Sequence, residues 1–487
     1  MATTYLHGAY GTLKDSIFQP ITQSGTIAVY VGTAPVNLVR GYAEYVNAPV
    51  KLDNLNQARR YFGDSTDWET FTLCEAFKAH FNNPDGNVGP IIVINVLDPA
   101  THKKAQATTT QLTFANKKAT ITSDKIILDT FAIADKVEGT DYTLDYDYTK
   151  QQVIINDISS AGISGQVQAT YNEVDTTNLD KDDIIGGVTA GGVYTGLGCV
   201  QLVYQELNWI PNIIAAPGWS HDKDVYDAMI TAGMQINGHW DAYVVADLPI
   251  EDCDTIEDVK TFQTANGFTN ERSDVCWPMG VDSSGNIYHL STATVWQMLL
   301  TDATHDGVPF ESPSNKETFL VKQYFGESST NRGFDQSRAN ELNESGITTI
   351  VYWGARWVLW GPHTADYKFG AVTEPRSVFD VSMRMLFYLT NGFQQRHALQ
   401  IDEPMTRALK DTILNTEQQE LDSLVAMGAL IGTPVIVFDE TNNSTAEMIE
   451  GNFYWDIQST PTPPAKSLNA GVAYTDQGFS SYFESGV

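Results

Sequence analysis

The sequence predicts a multidomain α/β and α+β protein: an α/β core with an inserted small antiparallel β domain, a C-terminal α+β domain and extended terminal arms. Three observations predict it. Apolar runs bounded by turn residues alternate with amphipathic helical patterns up to residue 99 and again after 188, the rhythm of an α/β layer. Between them the chain breaks into short alternating segments at fairly even spacing, which marks a small antiparallel β domain. Both ends are extended and turn-bounded, and the last segment lies beyond the breaker Thr460-Pro461-Thr462-Pro463-Pro464. The length, 487 residues, suits about three domains.

Residues 1–25 carry Gly8, Gly11, Pro20 and Gly25 without a period and are assigned to an N-terminal arm. Residues 26–31 are a short apolar run closed by Gly32-Thr33-Ala34-Pro35, a buried strand. Asn54 is placed to cap a short helix with Leu55, Ala58 and Phe62 on one face. A second helix carries Leu73, Ala76, Phe77, His80 and Phe81; His80 has no partner at ligand spacing and is expected at the edge of the core. Residues 90–96 form a fully apolar strand. The inserted β domain, 100–187, takes strands at 119–122, 125–128, 142–146, 153–155 and 167–171.

Strands at 211–217, 241–247 and 276–281 then alternate with helices at 222–236, 255–265 and 291–301. The α/β domain is therefore discontinuous, 26–99 plus 188–345. The C-terminal domain, 346–460, follows from a strand at 347–352, a helix from Ser377 to about Asn391, and a helix capped by Asp402 with Pro404 near its first turn. A capping-box pattern, Thr416 with Gln419, opens another helix, and strands at 434–439 and 452–458 close the domain. In the second strand Phe453, Trp455 and Ile457 share a face. Residues 461–487 are linker and C-terminal arm, where Leu468, Ala470, Val472 and Tyr474 share one face of an extended segment.

Charge narrows the function. Lys and Arg number 29 against 60 Asp and Glu, a formal net charge of −31. Nucleic acid and anionic membrane are disfavoured partners. The densest basic cluster, Lys117-Lys118 with Lys103-Lys104 nearby, reads as a solvated strand and turn. The four cysteines, Cys74, Cys199, Cys253 and Cys276, are scattered and lack a CxxC, so reduced thiols are expected rather than a zinc site or a disulfide framework. No apolar run approaches membrane-spanning length, and Met1-Ala2-Thr3-Thr4-Tyr5 does not open a signal peptide.

No GxxxxGK[ST], HExxH or GxSxG occurs. The glycines from Gly186 to Gly198 lack dinucleotide-binding spacing and read as a flexible re-entry into the parent domain. Ser220-His221-Asp222 has the letters of a triad, but sequence neighbours cannot orient one another in that way, and a helix N-cap is the expected use. The acidic groups Asp141/Asp145/Asp147, Asp180/Asp182/Asp183 and Glu251/Asp252/Asp254/Glu257 read as a strand, a turn and a helix start. No catalytic, cofactor-binding or metal-ligating residue is assigned, and no enzymatic activity is expected. An acidic hydrolase with distant catalytic carboxylates, or another self-assembling shell or surface-layer protein, are the alternatives.

Several segments resemble, in order, those of one family: the strand and VGTAP-like turn at 25–35, Gly139-Thr140-Asp141-Tyr142 in the insertion, and Ser312-Pro313-Ser314-Asn315-Lys316. They continue with Asn343 to Ile350, Trp353-Gly354-Ala355-Arg356, Trp360-Gly361, and the stretch from Glu447 to Tyr474. The chain resembles the contractile phage tail sheath family, which includes R-type bacteriocin sheaths and is related to type VI secretion sheaths. At Trp360-Gly361-Pro362-His363-Thr364 it departs by carrying His363 where Arg is common. The resemblance implies stacked hexameric rings around a tail tube, contraction that drives the tube through a cell envelope, and no cofactor. It implies an inserted domain outside, a C-terminal domain facing the tube, and arms that add strands to neighbours' sheets. The arm residues would be Leu468, Ala470, Val472 and Tyr474, and the acceptor sheet Val435, Val437, Phe453, Trp455 and Ile457. Arg407 and Lys410, two cations on one helix, are candidates to touch the tube. Partners would be further copies, the tail tube protein, and baseplate and tail terminator proteins, in a virion tail or phage-tail-like particle assembled in the host cytoplasm.

Overall fold

The computed structural model describes residues 22–251, 253–327, 333–371 and 374–482, so the arm assigned to 1–25 lies outside the described residues up to position 21. The body begins with β1 (Thr22–Gly32), β2 (Pro49–Leu52), α1 (Leu55–Tyr61), α2 (Leu73–Phe81) and β3 (Val88–Asn95). Asn54 caps α1 as its sequence position predicts, accepting from the Gln57 amide at 3.0 Å. His80 is in the core rather than at its edge. Its ring nitrogens meet the Tyr30 hydroxyl at 2.8 Å and the Val88 carbonyl at 2.9 Å, and burial lowers its pKa to about 4.

The insertion folds as two three-stranded sheets around its own core. Its strands are β4 (Thr108–Thr113), β5 (Lys118–Thr122), β6 (Ala132–Ile133), β7 (Tyr142–Asp147), β8 (Gln152–Asp157) and β9 (Gln166–Tyr171), ordered β4-β9-β6 and β5-β8-β7. Leu112, Phe131, Tyr142, Val153, Ile155 and Tyr171 fill the space between them. Residues 125–128 are not a strand: Ile126 makes one bridge with Glu173, and a short 3-10 turn follows at Leu128–Thr130. The insertion is also narrower than 100–187. Lys103 bridges Val174, and the Asp175 amide donates to the His102 carbonyl at 3.0 Å, which forms a neck. Val174, Leu179 and Ile184 join the core of the body. The two units touch where the Asn37 amide donates to the Asp124 and Ile126 carbonyls, and where the Tyr148 hydroxyl donates to the Arg59 carbonyl at 3.0 Å.

The body resumes with α3 (Lys181–Ile185), β10 (Gly187–Val188), β11 (Tyr194–Thr195), α4 (Val203–Leu207), β12 (Ile213–Ala215) and α5 (Lys223–Ala232). It continues with β13 (Tyr243–Asp247), α6 (Ile256–Ala265), β14 (Ser273–Cys276), β15 (Met279–Asp282), β16 (Ile287–Tyr288) and α7 (Leu290–Ala303). β17 (Leu320–Tyr324), α8 (Gln336–Asn343), β18 (Ile347–Trp353) and β19 (Arg356–Trp360) complete it. Eight strands form one sheet, ordered β19-β18-β14-β13-β12-β1-β3-β2. It is parallel from β18 through β3, with an antiparallel strand at each edge. Central parallel strands are buried on both faces, which is why residues 27–31, 91–94 and 243–246 read as unbroken apolar runs.

Two expectations are corrected here. The strand at 347–352 does not open the C-terminal domain: Ile347 and Thr348 pair with Val275 and Cys276, so β18 and β19 belong to the body's sheet and the boundary at 346 does not hold. The single strand expected at 276–281 is two. β14 ends in the large sheet at Cys276, and β15 runs in a three-stranded sheet ordered β16-β15-β17. Pro278 lies between them and has no amide to continue a ladder.

The C-terminal unit consists of α9 (Asp380–His397), α10 (Arg407–Met427), β20 (Leu430–Val437), α11 (Thr445–Ile449) and β21 (Asp456–Pro461). α9 starts three residues beyond Ser377. It joins two cores, with Met383 and Phe387 in that of the body and Met385 and Leu389 in that of the C-terminal unit. α10 is one helix of 21 residues, capped by Thr406, whose hydroxyl accepts from the Leu409 amide at 3.1 Å. Asp402, the expected cap, sits earlier at φ 65°. Thr416 and Gln419 lie inside α10; Ile413, Leu421 and Leu424 carry the apolar stripe past them, so no helix restarts there.

Candidate assembly surface

The C-terminal pair of strands is set up by the end of α10. Gly428 adopts φ 88°, a left-handed conformation that glycine takes at a helix end with least cost, and it turns the chain into β20. β20 and β21 pair with each other only, antiparallel, with Ile436 opposite Ile457, Val435 opposite Gln458 and Val437 opposite Asp456. Among the described residues, each strand has an outer edge without a strand partner. The five residues named for the acceptor sheet take different places in it. Ile457 packs with Ile436 on the C-terminal core, Trp455 joins the same core from just before β21, and Val435 and Val437 lie on the opposite face of the pair. Phe453 precedes the strand, because β21 runs at Asp456–Pro461 rather than 452–458.

Pro461 ends the ladder and does not break it earlier. Thr462 then clamps the chain: its amide donates to the Ala429 carbonyl at 3.0 Å and its hydroxyl to the Gly428 carbonyl at 2.6 Å. Beyond it the chain is exposed. Leu468, Val472 and Tyr474 are 88%, 96% and 85% exposed, Ala470 is exposed, and the segment forms no strand within the described residues.

The root of this arm walls a cleft of about 650 Å³. Opposite it lie the 312–316 loop, one side of α8 and the 360–369 segment. Two of the quoted motifs meet here, since the Gly361 amide donates to the Ser314 hydroxyl at 3.1 Å. The Lys466 ammonium lies 5.3 Å from the centre of the Tyr367 ring, and the Tyr367 ring stacks on His363. Neither Thr462 nor Lys466 stood out in the sequence; a threonine within a proline run was the only available sign of the clamp.

Arg407 and Lys410 open α10. Arg407 is exposed, and Lys410 pairs with Asp411 at 2.8 Å and lies 5.8 Å from the Phe438 ring centre. No acidic residue occupies the first turn of α10. Cations at a helix N-terminus oppose its dipole, so these two are placed against local preference.

The other place to look for chemistry is the crevice at the carboxyl ends of β1 and β12, where the strand order reverses and α/β folds take ligands. Here the protein's own side chains fill it. Asp247 accepts from the Ser291 amide at 2.8 Å at the start of α7, and from the Ser291 and Ser220 hydroxyls. Glu75 accepts from the His289 amide at 2.8 Å and meets its Nδ1 at 2.7 Å. Burial would lower the His289 pKa, but the charge and hydrogen bond of Glu75, with the charge of Asp247, hold it at about 9. Asp222 caps α5, as expected of the Ser220-His221-Asp222 segment. The four cysteines are buried and free.

Known proteins share this architecture and sequence. No family model matches the chain. It is 26% identical to the tail sheath protein of Burkholderia phage BcepMu across 98% of both chains, and 23% identical to the major tail sheath protein of Serratia phage KSP20 across 74% of this chain and 93% of that one. Over nearly its whole length the chain is similar to a phage tail sheath protein. Two cryo-EM structures share the fold. A chain of the anti-feeding prophage baseplate superposes with TM-score 0.57 at 13% identity, covering 97% of this chain and all, 100%, of that one. A chain of the contracted PVC sheath complex, from an extracellular contractile injection system, gives 0.55 at 12% identity, covering 98% and 100%.

Proposed function

We propose that this protein is the structural subunit of a contractile tail sheath, which polymerises as stacked hexameric rings around a tail tube and shortens to drive the tube through a cell envelope. The observation that carries the reading is a mismatch within one chain. Residues 467–475 hold an exposed alternating apolar face, while among the described residues the outer edges of β20 and β21 have no strand partner. Exchange between copies satisfies both, the arm of one subunit adding a strand to the pair of the next. Such edges otherwise invite aggregation. Contraction is then a re-packing of rigid bodies that stay linked by their arms.

In this reading the inserted domain lies outside and the C-terminal unit faces the tube, with Arg407 and Lys410 toward it. Baseplate and tail terminator proteins meet the ends of the stack. The particle is a virion tail or phage-tail-like particle, assembled in the host cytoplasm, and the subunit is a structural rather than catalytic component.

Truncation after Pro464 tests the arm. The shortened chain should stay folded and soluble, with an almost unchanged far-UV spectrum, and should form no tubes by negative-stain microscopy. Val472→Pro removes one ladder donor and should act in the same direction. Normal tubes from the truncated chain would refute strand exchange by this arm.

A further inference from the structure

A buried charged cluster ties β1, α7 and α9 together. Asp302 on α7 is 1% exposed, and Arg384 on α9 is 4% exposed. Arg384 Nη2 donates to Asp302 Oδ2, and the Thr26 hydroxyl donates to the same oxygen at 2.7 Å. Thr26 lies in the irregular stretch of β1, between the Gln23 and Ala28 pairings with β3. Just before it, Gly25 and Gly307 cross so closely that a Cβ on Gly307 would stand 2.8 Å from the Gly25 Cα. Asp380 and Asp274 are also buried near Arg384, and the Tyr243 hydroxyl donates to Asp274 at 2.8 Å. Burying one guanidinium with three carboxylates costs more than an apolar filling of the same space, so stability alone does not account for the cluster.

Its position suggests what it is for. Thr26 stands four residues inside β1, just before the regular pairing with β3 resumes at Ala28. Arg384 stands on the helix that carries the C-terminal unit and, through it, the arm. Asp302 belongs to α7, whose Leu290, Val295, Trp296 and Leu299 are packed in the core of the body. We infer that Asp302 is a force-transmitting node, through which pull on the start of β1 and pull on the C-terminal unit are both passed to α7 and the eight-stranded sheet. The inference rests on the sheath reading, because only an assembled subunit is pulled from both ends. It assigns Asp302, Arg384 and Thr26 a positioning role.

The test is a double-mutant cycle on the full chain, Thr26→Val against Arg384→Met, read by urea midpoint and by hydrogen exchange in α9 and at the start of β1. Because both donors use Oδ2 of Asp302, the two losses should not add. Thr26→Val should speed exchange in α9 about tenfold, and Arg384→Met should speed exchange at the start of β1. Additive midpoints with exchange changes confined to each mutated element would overturn the node. If Arg384→Met does not fold, Asp302→Asn against Thr26→Val closes an equivalent cycle with a smaller change. Wild-type assembly is scored separately by microscopy. Absence of tubes would remove the sheath reading while the cycle still reports on the coupling; tubes together with additive losses would remove the node alone.

Discussion

Tyr367 lies flat on His363, their ring centroids 3.6 Å apart and their planes within 4°, with Lys466 from the arm root over the tyrosine. The stack fixes the direction in which the arm leaves the body. It needs a neutral imidazole, since a charged one would repel Lys466.

The first prediction follows from that requirement. Burial, with the Lys466 charge, lowers the His363 pKa to about 4 against the bond from its ring to the Val378 carbonyl. The unfolded value is about 6.5, so the unfolded chain takes up the proton first. Stability from this site is full above about 6.5 and is lost as pH falls toward 4. His363→Phe keeps a stacking ring and removes the proton site. Its urea midpoint should fall less than that of the wild type between pH 7 and pH 4.5; parallel falls would show that His363 does not titrate in this way.

The second concerns the filled crevice. His289, held at about 9 by Glu75, gives stability that is full below its unfolded pKa and is lost as pH rises through about 9. Glu75→Gln should abolish that alkaline loss and cost about 3 kcal/mol at neutral pH, because the partner stays buried. Thermal melts at pH 7 and pH 10 check both statements.

The third separates tube contact from helix stability. Arg407→Glu places an anion at the N-terminus of α10 and should stabilise the isolated subunit by about 0.5 kcal/mol. If the helix faces the tube, Arg407→Glu with Lys410→Glu should weaken co-sedimentation with tube protein despite the sounder fold. Unchanged binding would return both residues to an ordinary solvated surface.

The fourth uses the neck of the insertion. Lys103 bridges Val174 across the neck, so residues 104–173 can be replaced by two glycines with little strain while Val174 stays in the body's core. The shortened chain should keep a cooperative melt and still assemble. Loss of cooperativity would show that contacts such as Tyr148 on Arg59 are needed by the body itself.

Much of the body was legible because its signals are local. The caps Asn54 and Asp222 stand where their side chains bond the backbone, and buried parallel strands announce themselves as apolar runs. Pairing partners are not local. Ile347–Trp353 reads as a strand, but nothing in it says that Val275 is its neighbour. Thr416 and Gln419 resemble a capping box only while the continuity of the apolar stripe along α10 is ignored. The arm residues were legible as an alternating face; the Thr462 clamp and the Lys466 anchor were not, because each depends on a backbone or a ring far away in sequence. The two sides of the strand pair were not legible for a related reason. A shift of strand bounds and an opposing register put Val435 and Ile457 on different sides.

The neck at Lys103 and Val174 has a consequence for how such a chain can change over generations. A domain entered and left through one gap can be lost, duplicated or exchanged without altering the spacing of the strands before and after it. The lattice and its decoration become separate inheritances: one constrained by every contact between copies, the other free to follow whatever the particle meets in its surroundings.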